Sequence, residues 1–279
     1  MTAPIIELNK VSYKTGYRYL LQDISWTVEP GEHWVVFGMN GSGKTTLLSI
    51  ITGFKHYTEG NMRIFGENLT NDTILAARKK IGWVSASFFD KYYSKESALH
   101  IVLSGKSGAL GLDDTITLQD VSYAKELLEE LQLGDRMNHT FDMLSKGQRQ
   151  NVLIARALFA DPEILILDEP CTGLDIYNRS YLFRTIEALS KRKKLTILYV
   201  THYVEEILPM FDKTLLLRSG HIFAQGQTEE LLNSETMKSF LGYDVDIQKV
   251  NGAYNLHVQA DSSMIDLLMR GNENDNNRS

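Results

Sequence analysis

The sequence has few of the features that mark secreted or membrane-spanning proteins. Cys171 is the single cysteine among 279 residues, so no internal disulfide is possible and a reducing compartment is expected. No run approaches the roughly 18 uncharged apolar residues of a membrane span, and the first residues lack the basic and apolar segments of a secretory signal. We therefore expect a cytoplasmic protein that reaches a membrane only through a partner, peripherally at the inner face.

Positive charge is also scarce. With 29 Lys and Arg against 35 Asp and Glu, the formal net charge is −6, which gives no global attraction to DNA or RNA. A nucleic-acid partner is therefore not expected. The apolar share of 43% and the charged share of 23% are those of a globular protein that can bury a large core.

The most informative stretch runs from Gly38 to Thr45 and fits the phosphate-loop pattern G-x-x-x-x-G-K-[ST]. An apolar strand-like run, 33–37, precedes it, and a helix-like run that stops at Gly53 follows it. Backbone amides and the positive end of the helix dipole then converge on one anion. In this pattern Lys44 reaches the β- and γ-phosphates, and the Thr45 hydroxyl completes a magnesium shell.

Two carboxylates follow a fully apolar run, 164–167, that is typical of a buried parallel strand. Ligands in such sheets bind at the carboxyl ends of the strands. Asp168 is thus a candidate Mg²⁺ ligand and Glu169 a candidate general base, while a solvated acidic turn is the structural alternative. His202 follows another apolar strand, 196–200, and is a candidate contact for a γ-phosphate, although a lone histidine is usually structural.

For two further features, the residues alone do not decide between a structural and a functional role. Ser145 and Gly147 begin a helical segment and would suit an anion, but serine and glycine before a helix are also ordinary capping chemistry. Tyr13, Tyr17 and Tyr19 form an aromatic cluster from which one ring could stack on adenine, or all three could pack on a sheet face.

The order of these patterns predicts an α/β fold with a P-loop (RecA-like) core, an antiparallel β subdomain, a helical insertion and a small C-terminal extension. The antiparallel pattern covers residues 5–37, and helical periodicity covers 92–103 and 121–133. A further helix is predicted from about 176 to 190 and is closed by the basic run 191–194, and the Asn251-Gly252 pair predicts the turn of a hairpin in the C-terminal part. The predicted divisions are a nucleotide-binding core with the β subdomain (1–87 and 160–225), a helical subdomain (88–159), an accessory extension (226–262) and a disordered tail (263–279).

With these pieces placed, residues 5–225 resemble an ATP-binding cassette (ABC) ATPase. The resemblance rests on the ordered set GMNGSGKTT, LSKGQRQ, ILILDEP, TGLD and TH. It implies Asp168 as a Mg²⁺ ligand, Glu169 as general base and His202 as γ-phosphate sensor. It also implies that Asp175 lies in a loop that crosses a dimer interface. The residues that the resemblance implies in phosphate binding are Gly38, Asn40, Gly41, Ser42, Gly43, Lys44, Thr45 and Thr46.

The same resemblance implies that a second copy completes the site. Ser145, Gly147 and Gln148 would contact the nucleotide held by the other subunit, so ATP would join a head-to-tail homodimer that hydrolysis opens. The implied cofactors are ATP and Mg²⁺, and the implied further partners are membrane-spanning transporter subunits.

Three positions depart from the family pattern. Ala86 stands where a metal-ligating and coupling glutamine is expected, so Ser87 or a water would have to substitute. The usual adenine-stacking aromatic falls on Thr15, which leaves Tyr17 or Tyr13 for that role. Lys146 replaces the commonest glycine of the signature loop and adds positive charge near the partner's nucleotide.

Three functions are compatible with this sequence. The first is an ATPase subunit that powers transport through separate membrane chains, and the single cassette favours it. The second is a soluble ABC ATPase in DNA repair or another non-transport role, which Ala86 keeps open. The third, nucleotide binding without turnover, is disfavoured because Glu169 and His202 are both present.

Overall fold

The computed structural model describes residues 3–108, 111, 115–192 and 195–258. The tail predicted to be disordered, 263–279, lies outside these ranges, as do the last two residues of the basic run 191–194. The strands are β1 (Ile6–Thr15), β2 (Arg18–Val28), β3 (His33–Phe37), β4 (Glu59–Ile64), β5 (Glu67–Asn68), β6 (Ile81–Val84), β7 (Ile164–Asp168), β8 (Thr196–Thr201), β9 (Lys213–Arg218), β10 (His221–Gln227), β11 (Val245–Val250) and β12 (Ala253–Val258). The helices are α1 (Lys44–Ile51), α2 (Ile74–Lys79), α3 (Ala86–Tyr93), α4 (Ala98–Leu103), α5 (Leu118–Glu130), α6 (Lys146–Phe159), α7 (Ile176–Ser190), α8 (Thr228–Leu231) and α9 (Ser234–Leu241).

The central sheet has the strand order β10-β9-β3-β8-β7-β6 within the described residues. Its strands run parallel except for β10, which forms a hairpin with β9. Every residue of β7 and β8 is buried, as expected for strands covered on both faces. This sheet confirms the predicted α/β, P-loop class of fold.

A second, antiparallel sheet has the order β2-β1-β4-β5. The prediction that residues 5–37 form one antiparallel set was wrong for its last strand. β3 instead pairs in parallel with β8 and β9 in the central sheet. All of its residues but one are buried, as expected for a central strand of a sheet that is covered on both faces.

The helical part of the chain departs from prediction in one place. The run 92–103 was expected to be one helix, but α3 ends at Tyr93 and α4 begins at Ala98. Ser97 separates them because its side chain caps α4, accepting from the backbone of His100, and its backbone bridges to Thr140. The helix of the signature segment begins after Ser145, as the sequence indicated.

The described part of the predicted C-terminal extension contains α8, α9 and the β11–β12 hairpin, whose turn is the predicted Asn251-Gly252 pair. A hydrogen bond joins the hairpin to the loop after β8: the backbone N–H of Leu256 donates to the Glu205 carboxylate at 3.3 Å. None of the helices in the described part of the chain has the length and apolarity needed to cross a bilayer.

Candidate functional site

The phosphate loop, the two predicted carboxylates and the predicted histidine lie at the carboxyl ends of adjacent strands in the central sheet. β3 leads into the phosphate loop, β8 ends before His202, and β7 ends with Asp168 before Glu169. β3 is paired with β8, and β8 with β7, so segments distant in the chain emerge side by side. The pairing of Phe37 with Thr201 and of Asp168 with Val200 aligns their ends.

The glycines of the phosphate loop are restricted either by close neighbours or by their backbone conformation. A Cβ at Gly38 would lie 2.5 Å from the carbonyl oxygen of Leu217, and one at Gly43 would lie 2.8 Å from the Leu21 side chain. Gly41 and Gly43 also have positive φ angles of 80° and 110°, a conformation that favours glycine. These two restrictions explain why the loop requires glycine at these positions.

Several polar groups of this loop suit a phosphate. The hydroxyl of Ser42 is buried and makes no hydrogen bond. Gly43 is the N-cap residue of α1, so no capping side chain bonds the free backbone amides of the first turn. The first turn also carries no acidic residue, and the start of the helix therefore suits an anion. The cleft at this loop is lined by Leu20, Asn40, Gly41, Gly43, Lys44, Thr45, Thr46 and Glu169. The polar groups of this cleft therefore suit the binding of a triphosphate.

Glu169 joins the phosphate loop to His202. Its Oε1 lies 3.2 Å from Lys44 Nζ and 3.3 Å from His202 Nδ1. Its backbone has a φ of 48°, unusual for a residue other than glycine, and its N–H donates to the carbonyl of Val200 at 2.9 Å. The chain thus turns sharply out of β7 and brings the predicted base, the predicted sensor and the lysine together.

Asp168 lies deeper than Glu169 and is only 7% exposed. Its Oδ2 accepts a hydrogen bond of 3.0 Å from Ser85 Oγ. The pKa of Asp168 is raised from 3.8 to about 6, chiefly by burial and also by the nearby charge of Glu169, while the Ser85 hydrogen bond and the charge of Lys44 oppose the shift. Positive charge brought next to this carboxylate would therefore stabilise its ionised form.

Oxygen donors suited to Mg²⁺ are present at this end of the sheet. Asp168 offers a carboxylate and Thr45 an exposed hydroxyl in the first turn of α1. Mg²⁺ is commonly held by one or two carboxylates together with the phosphates of a nucleotide, so these two residues fit such a site. Ala86 lines the neighbouring cleft with Ser87 and offers no ligand, while the contact to Asp168 comes from Ser85.

The signature loop forms a reciprocal capping box. Ser145 Oγ accepts from the backbone of Gln148 at 3.3 Å, and Gln148 Oε1 accepts from the backbone of Ser145 at 2.9 Å. A Cβ at Gly147 would lie 2.9 Å from the side chain of Asn178, which donates to Asp175 at 2.9 Å. Within one chain, the signature loop therefore packs on the segment that carries Asp175.

Lys146 extends over the same segment of its own chain. A Cβ at Gly173, whose φ is 74°, would lie 2.7 Å from the Lys146 side chain. The lysine that replaces the usual signature glycine is therefore placed against the TGLD turn.

The tyrosines near the site have different surroundings. Tyr17 is fully exposed in the turn between β1 and β2, whereas Tyr13 is partly buried beneath the ammonium group of Lys55. Neither position tests adenine stacking, which stays a prediction. Leu20 lines the phosphate cleft and was missed by sequence reasoning, because an apolar residue in a strand carries no signal of a site.

Glu206 was also missed, although it holds the loop that carries His202. Its buried Oε2 accepts from Tyr199 Oη at 3.1 Å and from Thr201 Oγ1 at 2.6 Å. Thr201 Oγ1 in turn accepts from the backbone of Tyr203 at 3.0 Å. Nothing in the local pattern separates this buried glutamate from its exposed neighbour in sequence.

The family model described as "ABC transporter" matches residues 21–172. A Bacillus subtilis (strain 168) protein, "Uncharacterized ABC transporter ATP-binding protein YlmA", is 42% identical over 238 residues, which cover 85% of this chain and 90% of that protein. Among solved structures, the ADP conformation of MJ1267, an ATP-binding cassette of an ABC transporter, has a TM-score of 0.71 at 24% identity and covers 86% of this chain and all (100%) of its own. A dimeric, post-hydrolysis structure of the cassette MJ0796 bound to ADP and Pi has a TM-score of 0.68 at 27% identity and covers 80% and 98%.

Proposed function

This chain belongs to the ABC transporter ATP-binding proteins, and from that membership we propose that it forms a head-to-tail dimer around Mg²⁺-ATP and powers a transporter whose membrane-spanning parts are separate chains. The chain is an ATPase with a P-loop fold. The observation that carries the proposal is the position of Glu169, whose Oε1 lies 3.2 Å from Lys44 Nζ and 3.3 Å from His202 Nδ1.

Each of these residues has a role that follows from its position. The amides of the phosphate loop and Lys44 hold the phosphate oxygens, and the Ser42 hydroxyl donates to one of them. Glu169 accepts the proton of the attacking water, while His202 fixes the Glu169 carboxylate and contacts the γ-phosphate. Asp168 and Thr45 would hold Mg²⁺, which neutralises charge on the phosphates as they separate.

A second copy completes the proposed site. The first turn of α6, with Ser145, Gly147 and Gln148, would face the γ-phosphate held by the partner, and the loop with Asp175 would cross the interface. Support comes from the similar cassette MJ0796, whose structure with ADP and Pi is dimeric. ATP shared between two chains stabilises the dimer by mass action, and phosphate release removes that stabilisation.

Affinity purification of the tagged chain from detergent-solubilised membranes tests the proposal. We expect a hydrophobic membrane protein to copurify, together with ATP hydrolysis that requires Mg²⁺ and stops in EDTA. A chain that hydrolyses no ATP under these conditions would contradict the proposal.

A soluble, non-transport role is the second candidate, and Ala86 favours it because the usual coupling glutamine is absent. Hydrolysis stimulated by DNA or RNA, with no membrane protein in the purified complex, would support this candidate instead.

A further inference from the structure

Two serines flank Ala86 where β6 leads into α3: Ser85 is the N-cap residue of the helix, and Ser87 lies in its first turn. Ser85 is fully buried, and its Oγ lies 3.0 Å from Asp168 Oδ2. The same oxygen lies 3.2 Å from Ser87 Oγ, and Ser87 faces a cleft that Asp168 and Glu169 also line. A short chain of hydroxyls therefore ends on the carboxylate that is the candidate metal ligand.

The direction of these hydrogen bonds follows from the donors available. An ionised carboxylate can only accept, and a hydroxyl has a single proton, so Ser85 donates to Asp168 and Ser87 donates to Ser85. Ser85 also occupies the N-cap position of α3, where a serine normally accepts from an amide of the first turn. It makes no such bond, since its side chain is turned toward Asp168.

The fold does not need this bond to hold β6 against β7. The two strands are already joined by a continuous parallel register from the Ile81–Ile164 pair to the Val84–Leu167 pair. The Ser85 hydroxyl acts beyond that register, on the side chain of Asp168 itself.

We propose that Ser85 is a positioning residue for the Mg²⁺ site, because its hydroxyl fixes Asp168 Oδ2 and leaves the other carboxylate oxygen to the metal or to a metal-bound water. Carboxylates that ligate metals are commonly oriented by such hydrogen bonds, and losing one typically weakens metal binding by about 10- to 100-fold. The inference rests on the proposed function, since Asp168 ligates a metal only if the chain binds Mg²⁺-ATP.

The test compares nucleotide binding by the full-length chain in Mg²⁺ and in EDTA. The probe is a fluorescent, non-hydrolysable ATP analogue. The magnesium gain is defined as its dissociation constant in EDTA divided by its dissociation constant in Mg²⁺. We expect Ser85→Ala to reduce this gain by about tenfold or more while leaving the dissociation constant in EDTA unchanged. Ser87→Ala should reduce it less, because the bond from Ser85 to Asp168 remains.

Ser12→Ala is the matched control. Ser12 is also buried and accepts from the backbone of Asp23 at 3.0 Å, but it lies in the antiparallel sheet. It should lower the melting temperature without changing the magnesium gain. Ser85→Cys has a side chain of similar shape but a weaker hydrogen-bond donor, so it should also reduce the magnesium gain. This second variant tests the proposal if Ser85→Ala does not fold.

The outcomes separate the two proposals. If the wild-type chain binds no nucleotide in Mg²⁺, the proposed function fails and this inference fails with it. If the wild type shows a magnesium gain that Ser85→Ala and Ser85→Cys both retain in full, the Ser85 bond is only structural, and this inference alone is overturned.

Discussion

Lys44 and Glu169 form an ion pair of 3.2 Å between Nζ and Oε1, across the space between the phosphate loop and the end of β7. Lys44 is 5% exposed and also donates to the carbonyl oxygen of Gly38 at 2.7 Å. A γ-phosphate bound in this loop therefore competes with Glu169 for the lysine. We therefore expect the charge of Glu169 to lower the affinity of the loop for nucleotide.

Glu169→Gln should reduce ATP hydrolysis by about 10²- to 10⁴-fold, because the amide cannot accept a proton from water. The same change should tighten ATP binding, because it removes the charge that competes for Lys44. We expect an ATP-bound dimer to accumulate, which size-exclusion chromatography with light scattering would detect. If this variant stays monomeric in ATP, the dimer mechanism does not apply to this chain.

Lys44→Ala should abolish nucleotide binding or turnover, because the phosphate oxygens lose the ammonium group that lies within the loop. Isothermal titration calorimetry with ATP and a steady-state hydrolysis assay measure the two effects. Lys125→Ala, in an exposed position on α5, is the control and should behave as wild type. Unchanged hydrolysis by Lys44→Ala would refute the assignment of the phosphate loop.

Asp168→Asn should stabilise the fold at neutral pH. Burial raises the pKa of Asp168 from 3.8 to about 6, so the native state binds more protons than the unfolded state between these values. The free energy of unfolding therefore falls as pH rises through this window, by up to about 3 kcal/mol in total. An asparagine at this position is uncharged, so above pH 6 the variant avoids the free-energy cost of burying an ionised carboxylate.

Urea denaturation at pH 7.5 and at pH 5 checks this pH dependence. The stability advantage of Asp168→Asn should be about 1 kcal/mol smaller at pH 5, where much of the native-state proton uptake has already occurred. Asp135→Asn, at an exposed position, is the control and should show no comparable change. Equal advantages at both pH values would contradict the raised pKa.

Glu206→Ala should lower the free energy of unfolding by about 2–4 kcal/mol, because the hydroxyls of Tyr199 and Thr201 lose a buried, charged acceptor. It should also lower kcat more than it raises KM for ATP, since the loop that carries His202 loses its anchor. Urea denaturation and steady-state kinetics measure these effects. The adjacent Glu205→Ala is the control, because Glu205 is exposed and accepts from the Leu256 backbone. A matching effect of both changes would argue against this anchoring role.

The local elements around the site were predictable from the sequence because their causes are local. The helix predicted from about residue 176 to residue 190 is α7, and the capping by Ser145 and the Asn251-Gly252 turn are found where their residue types indicated. Strand length, capping chemistry and glycine conformation depend on residues a few positions apart. The catalytic and binding roles of the individual residues remain predictions.

Which strands become neighbours was decided only by the tertiary structure. The alternation from residue 5 to residue 37 could not reveal that β3 leaves the antiparallel sheet to lie between β8 and β9. The hydrogen bond from Ser85 to Asp168 spans a sequence separation of 83 residues, and no short-range pattern encodes it. The sequence by itself therefore determined the phosphate loop, the two carboxylates and the histidine as separate candidates. Their assembly into one site required the long-range pairing of parallel strands, because only that pairing aligns carboxyl ends that are distant in the chain.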